Sequence, residues 1–168
     1  VSQILITSNT VSSLKIISSI KLKKVIHQFF PIDVNFFSNK FLDHWKPSAA
    51  FFIDSEVWPN MILNLKKKKI PIILINGRIT KKSFIRWKSF KNFSYNIFSK
   101  FNLCLTSNSE TKNFLNKLGA QNVIKIGNLK FSQLEKNSIS INQNLKRFIK
   151  SKKVWCASST HYNEEELC

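Results

Sequence analysis

The sequence predicts an α/β fold, a parallel sheet covered by helices on both faces, and three observations lead to it. Short apolar runs alternate with longer segments of helical period along most of the chain. One run, IPIILIN from Ile70 to Asn76, is apolar at successive positions, as a strand buried on both faces must be. The runs are spaced widely enough for a crossover helix between each pair, the connection that parallel neighbours require.

ILIT, Ile4 to Thr7, is the first expected strand, and SSLKIISSIKL follows with helical period. VIHQFF, Val25 to Phe30, is the second; after Pro31 comes the helical DVNFFSNKFLDHW. AAFFI is the third, and it leads into WPNMILNLKKKK, where Pro59 suits the first helical turn because its missing N–H leaves nothing unpaired. Lys66 to Lys69 close that helix, where cations suit the negative end of the dipole, although a solvated lysine face accounts for them equally well. IPIILIN is the fourth strand, with a Lys- and aromatic-rich helical segment running on to Lys100, and NLCLT is the fifth. In SETKNFLNKLG, Ser109 is the expected N-cap, with Glu110 and Thr111 in the first turn, and Gly119 stands where a left-handed C-cap residue belongs. VIKIG closes the series at Gly127.

From Phe131 to about Lys152 the chain turns polar, with one weak helical patch at NLKRFIK, and reads as an interdomain connection. VWCASST then restarts the strand signal and HYNEEEL the helical one. The expected organisation is one domain over residues 1–130, a linker over 131–152, and the first strand and helix of a second domain over 153–168. Val1 is not a methionine and Cys168 falls within the opening turns of a helix, so an internal fragment is expected.

Twenty-seven basic residues face nine acidic ones, a formal net charge of +18, which favours polyanionic partners. Richness in Lys, Asn, Ile, Phe and Ser would produce the same charge from composition alone. A nucleic-acid module gripping a backbone through Lys81 to Lys100 is the rival class. Against it, lysines are spread along the chain and no RRM, KH or helix-turn-helix signature is present, so no nucleic-acid partner is expected. Cys104, Cys156 and Cys168 show no CxxC spacing, and neither His27 nor His44 has a second ligand at metal spacing. No apolar run approaches the roughly 18 residues of a membrane span.

In an open parallel sheet, ligands gather at the carboxyl ends of the strands, beside helix N-termini that favour anions. DSEVWPN, Asp54 to Asn60, lies at such an end: Asp54 and Glu56 supply carboxylates, Trp58 a flat apolar wall and Asn60 an amide. The same two acids could serve only as caps for the next helix. INGRIT, Ile75 to Thr80, is a second strand end, with Asn76 and Arg78 placed to reach the same cleft, or else a capped turn with an exposed arginine. GNLKF, Gly127 to Phe131, ends the last strand, so Asn128 and Lys130 stand at the mouth of the linker. SSTHYNEEE, Ser158 to Glu166, sets Ser159, Thr160 and His161 at a strand-to-helix turn, donors suited to a phosphate or sugar. It has neither a glycine-rich cradle nor a GK[ST] sequence, so it is not a P-loop.

HQFFPID (His27 to Asp33), FLDHWKP (Phe41 to Pro47), DSEVWPN, INGRITKKS (Ile75 to Ser83), LGA (Leu118 to Ala120), GNLKF and ASSTHYNEEE, in this order, resemble the 3-deoxy-D-manno-octulosonic acid (Kdo) transferase family. The resemblance runs from about Thr7 to Glu166. It implies a GT-B architecture of two facing Rossmann-like domains, the first handling a lipid A precursor as acceptor and the second the donor CMP-Kdo. It implies no metal and no cofactor beyond that donor substrate, and a protein held peripherally, or by an anchor absent from this chain, at the anionic cytoplasmic side of a bacterial inner membrane. Another sugar-nucleotide GT-B enzyme would use the same cleft.

The resemblance gives Asp54 and Lys130 catalytic roles in supporting the transition state, with Glu56 as the second acid of the loop. Trp58, Asn60, Asn76, Arg78, Asn128, Ser159, Thr160 and His161 are the expected substrate-binding residues. The family's glutamate base would precede Val1, and most of its CMP site would follow Cys168. Asp54 departs from the family's usual glutamate, a side chain one methylene longer, and Gly77 replaces its usual alanine.

Overall fold

A computed structural model describes residues 3–20, 23–131 and 143–150. The chain divides into two compact units, Val1–Leu129 and Lys130–Cys168. The first contains β1 (Ile4–Ser8), α1 (Val11–Ser19), β2 (Val25–Phe29), α2 (Asn35–Trp45), β3 (Ala50–Ile53), α3 (Pro59–Lys67), β4 (Ile72–Gly77), α4 (Lys81–Ser89), α5 (Lys91–Phe98), β5 (Leu103–Thr106), α6 (Ser109–Leu118) and β6 (Val123–Lys125). In the second, the described helix is α7 (Gln143–Lys150). Ser159, Thr160 and His161 lie outside the described residues.

Each of the six strands expected before residue 130 forms, and every pairing among the described residues is parallel; the strand and helix expected over 153–168 lie outside the described residues. The ladder is split, however: β3-β4-β5-β6 make one sheet and β1-β2 another, where a single sheet was expected. The link between β2 and β3 runs through packing of α2 on α3. Right-handed crossovers between strands in sequence order place their helices on one face of such a sheet, where helices on both faces were expected. Burial agrees: Phe52, Leu74, Cys104 and Val123 lie side by side across the four strands and are all buried. On the opposite face Phe51, Ile53 and Ile124 stand exposed.

Under the buried row lie Met61, Ile62 and Leu65 from α3, Phe84 from α4, Ile97 and Phe98 from α5, and Leu115 and Leu118 from α6. Each such side chain taken out of water contributes about 1.5–3 kcal/mol. Phe84 stacks on Phe114 with centroids 4.2 Å apart, locking α4 to α6. Burial also pushes the Cys104 thiol up to about 12, which makes it an inert filler of β5.

Two helix boundaries differ from expectation. The Lys- and aromatic-rich segment breaks at Phe90, whose backbone (φ −111°, ψ 58°) leaves the helical region while its N–H donates to the Trp87 carbonyl. The break lets Trp87 stack on Phe93 and meet Phe98 edge-on. In α6 the cap is Asn108, whose Oδ1 accepts from the Thr111 N–H at 2.7 Å; Ser109 is the first helical residue. Asn108 is extended and one position earlier, which is the geometry an N-cap side chain needs. Gly119 takes the left-handed C-cap (φ 107°), and a Cβ there would strike the Tyr95 ring at 2.5 Å.

Candidate active site at the strand ends

Hydrogen bonding continues one residue beyond β3 and β4. The Asp54 N–H donates to the Ile75 carbonyl at 3.0 Å and the Arg78 N–H to the Asp54 carbonyl at 3.1 Å. The Ser55 hydroxyl donates to the Arg78 carbonyl at 2.7 Å. DSEVWPN and INGRIT are thus laced together. At the centre of the lacing, Asn76 Nδ2 donates to Asp54 Oδ1 at 2.5 Å. The Leu129 N–H donates to Asn76 Oδ1 at 3.2 Å, which brings the Gly127-Asn128-Leu129 turn to the same point.

Asp54 (φ 58°) and Asn76 (φ 54°) both adopt the left-handed conformation. Such residues cost of order 1–3 kcal/mol unless the side chain suits them, and they gather at functional sites. Asp and Asn are the side chains that tolerate this region best. The conformation gives a physical reason for aspartate at position 54, and the short side chain still reaches the Asn76 amide. Gly127 (φ 90°) supplies a third left-handed turn at the end of β6.

Glu56 and Trp58 form a second pair, Trp58 Nε1 donating to Glu56 Oε2 at 2.6 Å. The Trp58 ring packs 5.2 Å from Phe30, at the end of β2, so the apolar wall is fixed from behind. Neither Asp54 nor Glu56 caps α3. Trp58 occupies its N-cap position without a side-chain bond. The cap comes from Asp33, in the turn after β2: its carboxylate accepts from the Asn60 N–H at 3.1 Å and the Met61 N–H at 2.9 Å. Asn60 Nδ2 donates in return to the Asp33 carbonyl at 2.7 Å.

Asp33 is the residue that sequence reasoning left without a role. The signal was an α3 N-terminus lacking Ser, Thr, Asp or Asn at its cap, together with the HQFFPID motif. Arg78 and Lys130 are exposed, and Asn128 is half-buried. Gly77 has an explanation in packing: a Cβ there would lie 2.8 Å from Leu74 Cδ2, inside the buried row.

Two grooves flank Lys40 on α2, the first largely aromatic and the second mostly polar in its lining residues. One, of about 400 Å³, is lined by residues including Ile32, Phe37, Phe41, His44 and Trp45; the other, of about 420 Å³, includes Phe36 and Asn39. Phe36 and Ile32 are 68% and 72% exposed, an uncommon state for such large side chains. Asp43, beside them, is paired with Lys68. Among the described residues no group of three metal-ligating side chains converges, and no helix is long and apolar enough to cross a membrane.

The arrangement offers a fixed carboxylate, an aromatic wall and a left-handed turn at the open end of a parallel sheet. Residues 2–133 match the family described as 3-deoxy-D-manno-octulosonic-acid transferase (kdotransferase). The chain is 36% identical over 167 residues to a 3-deoxy-D-manno-octulosonic acid transferase of Rickettsia bellii, covering 97% of this chain and 39% of that protein. It is 26% identical over 153 residues to the enzyme of that name from Haemophilus influenzae, covering 85% of this chain and 34% of that protein. A bifunctional glycosyltransferase/methyltransferase of Fusobacterium nucleatum is 32% identical over 150 residues, 86% of this chain and 23% of its own length. The chain therefore spans little more than a third of its Rickettsia relative.

Proposed function

The chain belongs to the Kdo transferase family, and on that premise we propose that the full-length protein transfers Kdo from CMP-Kdo to a lipid A precursor. In this reading residues 1–130 are the acceptor domain, 131–152 the linker and 153–168 the opening of the CMP-sugar domain. The observation that carries it is the strand-end cluster of Asp54, Asn76 and Leu129, with two left-handed side-chain-bearing residues joined by a hydrogen bond.

The acceptor hydroxyl gives its proton to a general base of the full-length protein as its oxygen bonds to the anomeric carbon of Kdo, and the bond from that carbon to the phosphate oxygen breaks, so that CMP leaves with the bonding pair. Positive charge grows on the sugar and negative charge on the departing phosphate. Asp54 stabilises the first and Lys130 the second, interactions that strengthen as charge develops and so lower the barrier. Glu56, steered by Trp58, adds a second carboxylate on the acceptor side. Arg78 and Asn128 contact substrate, and Ser159, Thr160 and His161 serve the CMP side. The reading assigns no metal or other cofactor.

A lipid acceptor lives at a membrane surface. The exposed Ile32, Val34, Phe36 and Phe37 beside Lys40 suit contact with acyl chains under anionic headgroups, and the +18 charge adds attraction to the cytoplasmic face of a bacterial inner membrane.

The test is transfer by the full-length protein. Incubated with CMP-Kdo and a lipid A precursor, it is expected to yield a product heavier by Kdo. Lys130→Ala is expected to lower turnover by about 100-fold or more with folding unchanged. Absence of transfer by the wild-type protein, or undiminished turnover in the variant, contradicts the reading or removes Lys130 from it.

A further inference from the structure

Asn76 touches two strand-end loops with one side chain. Its Nδ2 donates to the Asp54 carboxylate at 2.5 Å and its Oδ1 accepts from the Leu129 N–H at 3.2 Å. The side chain is buried, with 6% of the residue exposed. The two contacts have opposite polarity: a carboxylate must receive a hydrogen bond and a backbone N–H must give one. A short primary amide has a donor at one end and an acceptor at the other. Aspartate would retain the acceptor but set a second carboxylate against Asp54. The left-handed backbone at this position (φ 54°) selects further, since asparagine adopts it more readily than most residues.

We propose that Asn76 is a positioning residue for the transfer reaction, holding the Asp54 carboxylate in its working orientation while fixing the turn that leads directly into Lys130. It acts through these groups and does not itself contact the sugar nucleotide. The proposal rests on the reading of Asp54 given above, and it replaces the substrate contact that the sequence suggested for Asn76.

The test is a double-mutant cycle in the full-length protein, with Kdo transfer from CMP-Kdo as the readout. Asn76→Gly removes the amide while keeping a residue that accepts the left-handed backbone, so folding is preserved. Its kcat is expected to fall by about 100-fold, the scale of a reacting group displaced by about 1 Å, with KM for CMP-Kdo changed by less than about twofold. Asn76→Asp, which keeps the acceptor for Leu129, is expected to lose at least as much.

In an Asp54→Asn background the further loss from Asn76→Gly is expected to shrink to less than about threefold, because the group being positioned is already gone. An equal loss in both backgrounds overturns the positioning role and leaves the site reading standing. A raised KM with unchanged kcat overturns it too, by making Asn76 a donor contact. Full activity in Asp54→Asn alone overturns the site reading and the positioning role with it.

Discussion

From α2 to β6 the first unit has a continuous core running from Leu42 to Val123, whereas no described residue of β1, α1 or β2 is buried. The apolar residues of the second region are divided: Ile4, Val11, Ile16 and Ile20 are each more than half exposed, while Leu5, Ile6, Leu14 and Ile17 are only half-buried. The strand ends that hold Asp54 and Asn76 belong to the packed region. Left-handed backbone also occurs outside it, at Lys24 (φ 64°) before β2, but at Asp54 and Asn76 it is held by paired strand ends and by the bond between the two side chains. The turn after β2 ties the loosely packed region to it twice, through the Asp33 carboxylate on the N-terminus of α3 and through Phe30, whose ring packs 5.2 Å from Trp58. One region sets the geometry of the site, and the other is fastened to it by a cap and an aromatic contact.

The sharpest way to break this comparison is to remove equal volumes from the two regions. Leu115→Ala, in the core, is expected to cost about 2–5 kcal/mol in urea unfolding. Ile16→Ala, on the exposed face of α1, is expected to stay within about 0.5 kcal/mol of wild type. Similar losses at both positions would remove the distinction.

Alkali provides a second probe of the packed region. The Cys104 thiol titrates at about 12 in the folded protein, against an ordinary 9.0 when unfolded. Below pH 9 the thiol is protonated in both states and its contribution is constant. Above pH 9 the unfolded chain alone ionises, so stability falls by about 1.4 kcal/mol for each pH unit until the folded thiol also ionises. The wild-type protein is therefore expected to lose on the order of 3 kcal/mol more than Cys104→Ala between pH 9 and pH 12. Parallel pH curves for the two proteins would contradict the buried environment.

The smallest effect sharpens the joint between the regions. Asp33→Ala deletes the cap on α3 and is expected to cost about 1–2 kcal/mol. Hydrogen exchange at the Asn60 and Met61 amides, which lose their acceptor, is expected to quicken while the β4 and β5 amides keep their protection. Unchanged exchange at those two amides would deny Asp33 this role.

Much of the fold was legible because apolar runs and helical period are local signals. β4 was visible in IPIILIN, and the α6 C-cap in Gly119. The features that escaped notice are long-range or depend on backbone detail. The cap on α3 comes from Asp33, 27 residues before Asn60, and nothing local to α3 supplies it. The break at Phe90 uses no Pro or Gly, so it has no composition signal. The split between β2 and β3 concerns which edges meet, and the pattern of elements leaves that open. At the site, strand-end position and residue type picked out Asp54, Asn76 and Leu129's motif. The opposed hydrogen bonds that make Asn76 a tie within the protein required coordinates.

The most direct measurement of the central claim is the turnover of full-length Asp54→Ala with CMP-Kdo and a lipid A precursor, alongside its melting temperature. If the Asp54–Asn76–Leu129 cluster is the reaction centre, kcat falls by about 100-fold or more while the melting temperature stays close to that of the wild type. Turnover within about threefold of the wild type, in a folded variant, would place the chemistry elsewhere.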